Sequence, residues 1–139
     1  MFQNILIAYD GSEHARHAAH IAGELGRQQT HAELWLVVVV EPIPKDLGEP
    51  YVDKLIAKRT QKGNELIRKA KEFIGKDITV NEVLLFASPA ESIVEEAEIR
   101  KCDLIIMGTR GLGSLRSLLL GSQTHKVIGL TKCPVLAVK

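Results

Sequence analysis

No apolar run in the chain approaches the roughly 18 residues that a membrane-spanning helix requires. The start, Met1-Phe2-Gln3-Asn4-Ile5, also lacks the basic segment and long apolar stretch of a secretion signal, so a cytoplasmic location without membrane attachment is expected. Cysteine is scarce. Cys102 and Cys133 are the two present, neither in a CxxC pair, which argues against a disulfide framework and for buried free thiols. A charge excess is missing too: 18 Lys and Arg stand against 17 Asp and Glu, so no overall field draws the chain to nucleic acid or to a membrane surface.

What is there suits one compact domain over residues 1–139, since 45% of the chain is hydrophobic and 25% charged. Four apolar runs read as buried strands: Ile5 to Ala8, Leu34 to Val40, Leu104 to Met107 and Pro134 to Val138, with a weaker fifth at Val80 to Phe86. The strong runs are nearly continuous rather than alternating, as strands covered on both faces require. Helical spacing fills the intervals. Ala15, Ala18, Ala19, Ala22 and Leu25 follow Ser12 as a plausible N-cap. Beyond a proline-rich loop at Glu41 to Pro50, Val52, Leu55, Ile56, Leu66, Ile67, Ala70, Phe73 and Ile74 mark a long helix that Gly63 should weaken. Ser88, Pro89 and Glu91 predict a capping box for a third helix, and a fourth should run from Ser122 to Leu130 with Val127, Ile128 and Leu130 as packing residues. Alternation of this kind predicts an α/β fold with a parallel sheet and helices on both faces.

Ligands of such sheets sit beyond the carboxyl ends of strands, where strand order reverses. Two loops there carry suitable residues: Ala8-Tyr9-Asp10-Gly11-Ser12, and the segment from Gly108-Thr109-Arg110-Gly111 to Gly121-Ser122-Gln123-Thr124. Glycines let backbone amides approach phosphate oxygens, a helix start adds unpaired N–H groups, and the Ser122 and Thr124 hydroxyls are further donors. Asp10 is poised for a ligand or a metal, or alternatively caps the first helix.

The spacing Gly108-x2-Gly111-x9-Gly121-Ser122 resembles the G-2x-G-9x-G-(S/T) signature of the ATP-binding branch of the universal stress protein family. The likeness extends through the Ile-Leu-Ile-Ala-Tyr-Asp-Gly-Ser opening, Ser88-Pro89-Ala90-Glu91, Asp103 to Gly111, Leu118 to Ser122 and Cys133-Pro134-Val135-Leu136. It implies a five-stranded Rossmann-like sheet of the adenine nucleotide alpha hydrolase type, in the order 3-2-1-4-5. It also implies ATP as ligand. Ala8 and Tyr9 would lie near the base and Asp10 near the ribose or a phosphate-bound Mg2+ or Mn2+. Val39 would meet adenine through its backbone, and Met107, Gly108, Arg110, Gly111, Gly121, Ser122 and Gln123 would line ribose and phosphates. Pairing of the edge Val135 to Val138 would make a homodimer, and an interaction protein whose loop takes no ATP, or another small ligand, is the alternative.

Other chemistries fit the letters less well. Gly75-Lys76 is followed by Asp77 and lacks the earlier glycine of a Walker loop. Asp10-Gly11-Ser12 stands where a dinucleotide fold needs G-x-G-x-x-G. His14, His17 and His20 rotate around the first helix and read as a solvated face rather than a metal site. The basic residues of helix two are interspersed with Asp53, Glu65 and Glu72 and have no stacking aromatics, so they read as soluble surface. No general base and no Walker lysine is evident, although Arg110 or Arg116 is placed to neutralise phosphate charge. A binding module with little or no hydrolysis is therefore expected rather than an enzyme.

Overall fold

A computed structural model of the chain describes residues 2–111 and 120–139. Its strands are β1 (Asn4–Ala8), β2 (Glu33–Val40), β3 (Val80–Phe86), β4 (Leu104–Gly108) and β5 (Val135–Val138). The helices between them are α1 (Glu13–Gln28), α2 (Glu49–Ile74), α3 (Pro89–Ile99) and α4 (Ser122–Leu130). Every strand pair is parallel, and the order is β3-β2-β1-β4-β5. The expected fold is therefore present.

Strand alternation divides the core into two layers. Ile5, Ile7, Leu34, Leu36, Leu104 and Ile106 pack with the small residues of α1 and with Ile67, Ala70 and Ile74 of α2. Leu6, Ala8, Val37, Ile105 and Met107 pack on the other face with Ala90, Ile93, Val94 and Ala97 of α3 and Val127 of α4. The alanine stripe lets α1 lie close to the sheet. Gly63 serves the same end rather than weakening α2: it is buried, and a Cβ there would collide with the Leu84 side chain.

Four local expectations need correction. The helix α2 starts at Glu49, so Pro50 lies inside its first turn, where a missing N–H costs nothing. In α4 Val127 is fully buried but Ile128 and Leu130 are 45% and 54% exposed, because this short helix covers the sheet near its β5 edge along one narrow line. The predicted capping box does not form; Ser88 is the N-cap of α3 by position but makes no side-chain cap. Cys102 and Cys133 are half-buried free thiols, and burial, followed by the nearby Cys133 and Asp103, pushes the Cys102 thiol up to about 12.

Candidate functional site

The strand order reverses at β1. From there the chain steps outward through α1 on one face to β2, while β4 approaches from the other side over α3. A cleft of about 310 Å³ opens at the carboxyl ends of these strands, within the range that small ligands occupy. All twelve residues expected at a ligand site line it, from Ala8, Tyr9, Asp10 and Val39 to Met107, Gly108, Arg110 and Gly111, and to Gly121, Ser122, Gln123 and Thr124.

Val39 is placed by strand parity. In a parallel strand one residue sends its N–H and C=O to the same neighbour, and the next residue sends its own to the other side. The Tyr9 N–H donates to Val37 O at 3.1 Å, and the Ala87 N–H donates to Val40 O at 3.2 Å. Val37 thus faces β1 and Val40 faces β3. Val39 faces the β1 side again, beyond Ala8, which is the last residue of β1 in register with β2. Its backbone donor and acceptor are directed into the cleft.

The turn after β1 is closed by its own side chains. Asp10 Oδ1 accepts from the Ser12 N–H at 2.9 Å, and Ser12 Oγ accepts from the Ala15 N–H at 3.3 Å and donates to Arg110 O at 3.4 Å. Asp10 is not the cap of α1, a place Ser12 holds; its Oδ1 closes the turn before the helix, and its Oδ2 lies where a Cβ at Gly111 would collide with it. Tyr9 has its N–H committed to β2 and its ring in the core, and burial raises its hydroxyl pKa, with Arg16 opposing.

The two limbs of the glycine segment are tied together beneath the cleft. The Gly121 N–H donates to Thr109 O at 2.6 Å, and the Thr124 hydroxyl, buried, donates to Gly108 O at 2.8 Å. Thr124 is thus a strut of the loop, and its hydroxyl is not an open donor. Thr109 in turn shares a hydrogen bond of 2.7 Å with His14 Nδ1, and His17 Nδ1 lies 2.8 Å from Lys139 O. His14 and His17 are not the purely solvated pair that their spacing implied, and among the described residues no group of three His, Cys, Asp or Glu converges on a metal position. Arg116 and Leu118 lie outside the described residues.

The amino end of α4 has no side-chain cap, since Gly121 is its N-cap, and no acidic residue lies in its first turn. The helices α1, α2 and α3 each carry a glutamate there, namely Glu13, Glu49 and Glu91. The positive end of α4 and its N–H groups at Ser122 to Thr124 are thus chemically suited to an anion. This contrast was readable from Ser122-Gln123-Thr124-His125. Ser12, Ala15, Val37, Pro89 and Ile93 also line the cleft. Val37 could have been added by its two-residue step from Val39; Pro89 and Ile93 come from a helix that only the tertiary fold brings there.

The sequence pattern of the universal stress protein family matches residues 1–139. A universal stress protein of Thermus aquaticus is 43% identical over 140 residues, covering 100% of both chains. Among solved structures, that of the hypothetical protein MJ0577, the subject of a structure-based assignment of biochemical function, superposes with a TM-score of 0.85 at 32% identity. It covers 100% of this chain and 96% of its own. A universal stress protein in complex with cAMP gives a TM-score of 0.66 at 26% identity, over 99% of this chain and 97% of that one.

Proposed function

Since this chain belongs to the universal stress protein family, we propose that its cleft binds an adenine nucleotide, ATP foremost, and that the protein is a cytoplasmic, nucleotide-dependent regulatory module of the stress response. What supports ATP is the union of two features in one cleft: a strand edge at Val39 with an open backbone donor and acceptor, and the uncapped start of α4. The first can read a base edge and the second can hold phosphates. A relative's complex with cAMP fits a ligand of that class.

Mg2+ or Mn2+ would enter with the nucleotide. Asp10 offers a carboxylate at the right end of the cleft, and phosphate oxygens and water would supply the other ligands. Turnover is expected to be slow or nil, because Asp10 is held by the Ser12 N–H and against Gly111 and no lysine of Walker type is present. Robust single-turnover hydrolysis that disappears in Asp10→Ala would overturn this part.

Calorimetric titration of ATP into wild type and Gly111→Val tests the site. A Cβ at Gly111 pushes on Asp10 and narrows the loop, so the variant should bind at least about tenfold more weakly; equal affinities sink the proposed loop. The second reading, a homodimeric interaction protein whose cleft takes another small ligand or none, draws on β5. That strand ends the sheet, and Leu136 with Ile128 and Leu130 of α4 leaves apolar surface exposed beside it. Pairing through Val135–Val138 is expected, and light scattering that returns a monomer counts against it.

A further inference from the structure

Gln123 lies in the first turn of α4, and its side chain reaches across to α3, where Oε1 accepts from the Ala90 N–H at 3.2 Å. That N–H is an orphan donor of the first turn of α3. Ser88 does not satisfy it, and the Ser92 hydroxyl donates back to the Ser88 and Pro89 carbonyls. The acceptor for α3 therefore comes from α4. Because Ala90 can only donate, the oxygen of the Gln123 amide is the atom that faces α3, and the planar group turns its NH2 away.

Gln123 lines the cleft, and among the described residues its Nε2 has no protein acceptor. Two N–H donors thus stand at the cleft wall beside the open N–H groups of a first turn without acidic residues. Donors gathered in this way suit an anionic oxygen. We propose that Gln123 divides its amide between helix and ligand: Oε1 fixes the start of α3, and Nε2 donates to the α-phosphate of the bound nucleotide. Gln123 is then the residue by which the cleft favours a nucleotide over the corresponding nucleoside. The proposal rests on the adenine-nucleotide reading above.

The test compares adenosine, AMP and ATP by calorimetry against wild type, Gln123→Met and Gln123→Glu, with circular dichroism and melting to check the fold. Gln123→Met removes both halves of the amide at similar length; AMP and ATP should weaken by about tenfold while adenosine stays within about twofold. Gln123→Glu keeps an oxygen for Ala90 and replaces the donor with negative charge. Adenosine should again be retained, and AMP and ATP should lose more than in Gln123→Met. A residue that only holds α3 gives another pattern: Gln123→Met weakens all three ligands together, adenosine as much as AMP and ATP. That result overturns the divided amide. If wild type binds the ligands and no variant differs from it, the role of Gln123 alone falls; if wild type binds none of the three, the nucleotide reading falls and takes this one with it.

Discussion

The amino termini of α1 and α4 border the same cleft from opposite faces of the sheet, and they are finished in opposite ways. At α1 the chain supplies everything itself: Ser12 accepts from Ala15, Asp10 accepts from Ser12, and Glu13 faces the positive end. At α4 the N-cap is Gly121, the first turn has no acid, and Thr124 is turned inward to Gly108. A start closed by its own side chains works as a structural joint. One left open keeps its donors for something that is not part of the chain.

The largest expected effect comes from closing the open end. Gly121→Asp places an acceptor and a negative charge at the start of α4, and ATP affinity should fall by roughly a hundredfold or more. Stability should move by only a few tenths of a kcal/mol, since glycine is itself a tolerable N-cap. Unchanged ATP affinity in that variant would erase the contrast between the two helices. Thr124→Val removes the hydroxyl strut at nearly constant volume and leaves the Gly108 carbonyl unpaired, which should cost about 1–3 kcal/mol in denaturant unfolding. A wild-type midpoint would show that the strut is dispensable.

Opening the closed end gives a smaller effect of the other kind. Ser12→Ala should cost about 1 kcal/mol of stability while ATP affinity stays within about threefold; a loss of binding without a loss of stability would reverse the roles assigned to α1 and α4. The smallest effect lies at the far end of the molecule, where Arg27 donates to Ile74 O at the end of α2 and to both carboxylate oxygens of Asp77. The hydrogen bond from Arg27 holds the Asp77 carboxyl at about 2. A carboxylate with a lowered folded-state pKa stabilises above its unfolded value and loses that contribution as pH falls, here from about 4 to about 2. Melting temperatures of wild type and Asp77→Asn should therefore differ by a small, constant amount at neutral pH and converge in that acid window. A difference that persists at pH 2 would assign the effect to something other than this pair.

The central strands are legible in the sequence because β1, β2 and β4 are covered on both faces, and only continuous apolar runs such as Ile5 to Ala8 satisfy that condition. β3 is fainter for a physical reason: as an edge strand it is only half-buried along most of its length. Ten of the twelve cleft residues lie in the two loops where glycines and a helix start follow strand ends locally, whereas Val39 and Met107 came only from the family resemblance. Long-range partners could not be named in this way. The acceptor for α3 comes from Gln123, and the partners of His14 and His17 are 95 and 122 residues away. Local patterns such as Ser88 to Glu91 or the histidine spacing carry no information about those neighbours. The exposure of Ile128 and Leu130 likewise depends on how little sheet remains beneath α4 at its edge.

Thr109 joins more of these parts than any glycine around it. Its N–H donates to Val138 of β5, its carbonyl accepts from Gly121 at the start of α4, and its hydroxyl meets His14 of α1, all within a residue 6% exposed. A displacement of the glycine segment that carries Thr109 along strains the last strand of the sheet and the first helix together. Hydrogen exchange at that one amide is thus a gauge of how firmly the occupied cleft grips the margin of the sheet, readable without a label on any ligand.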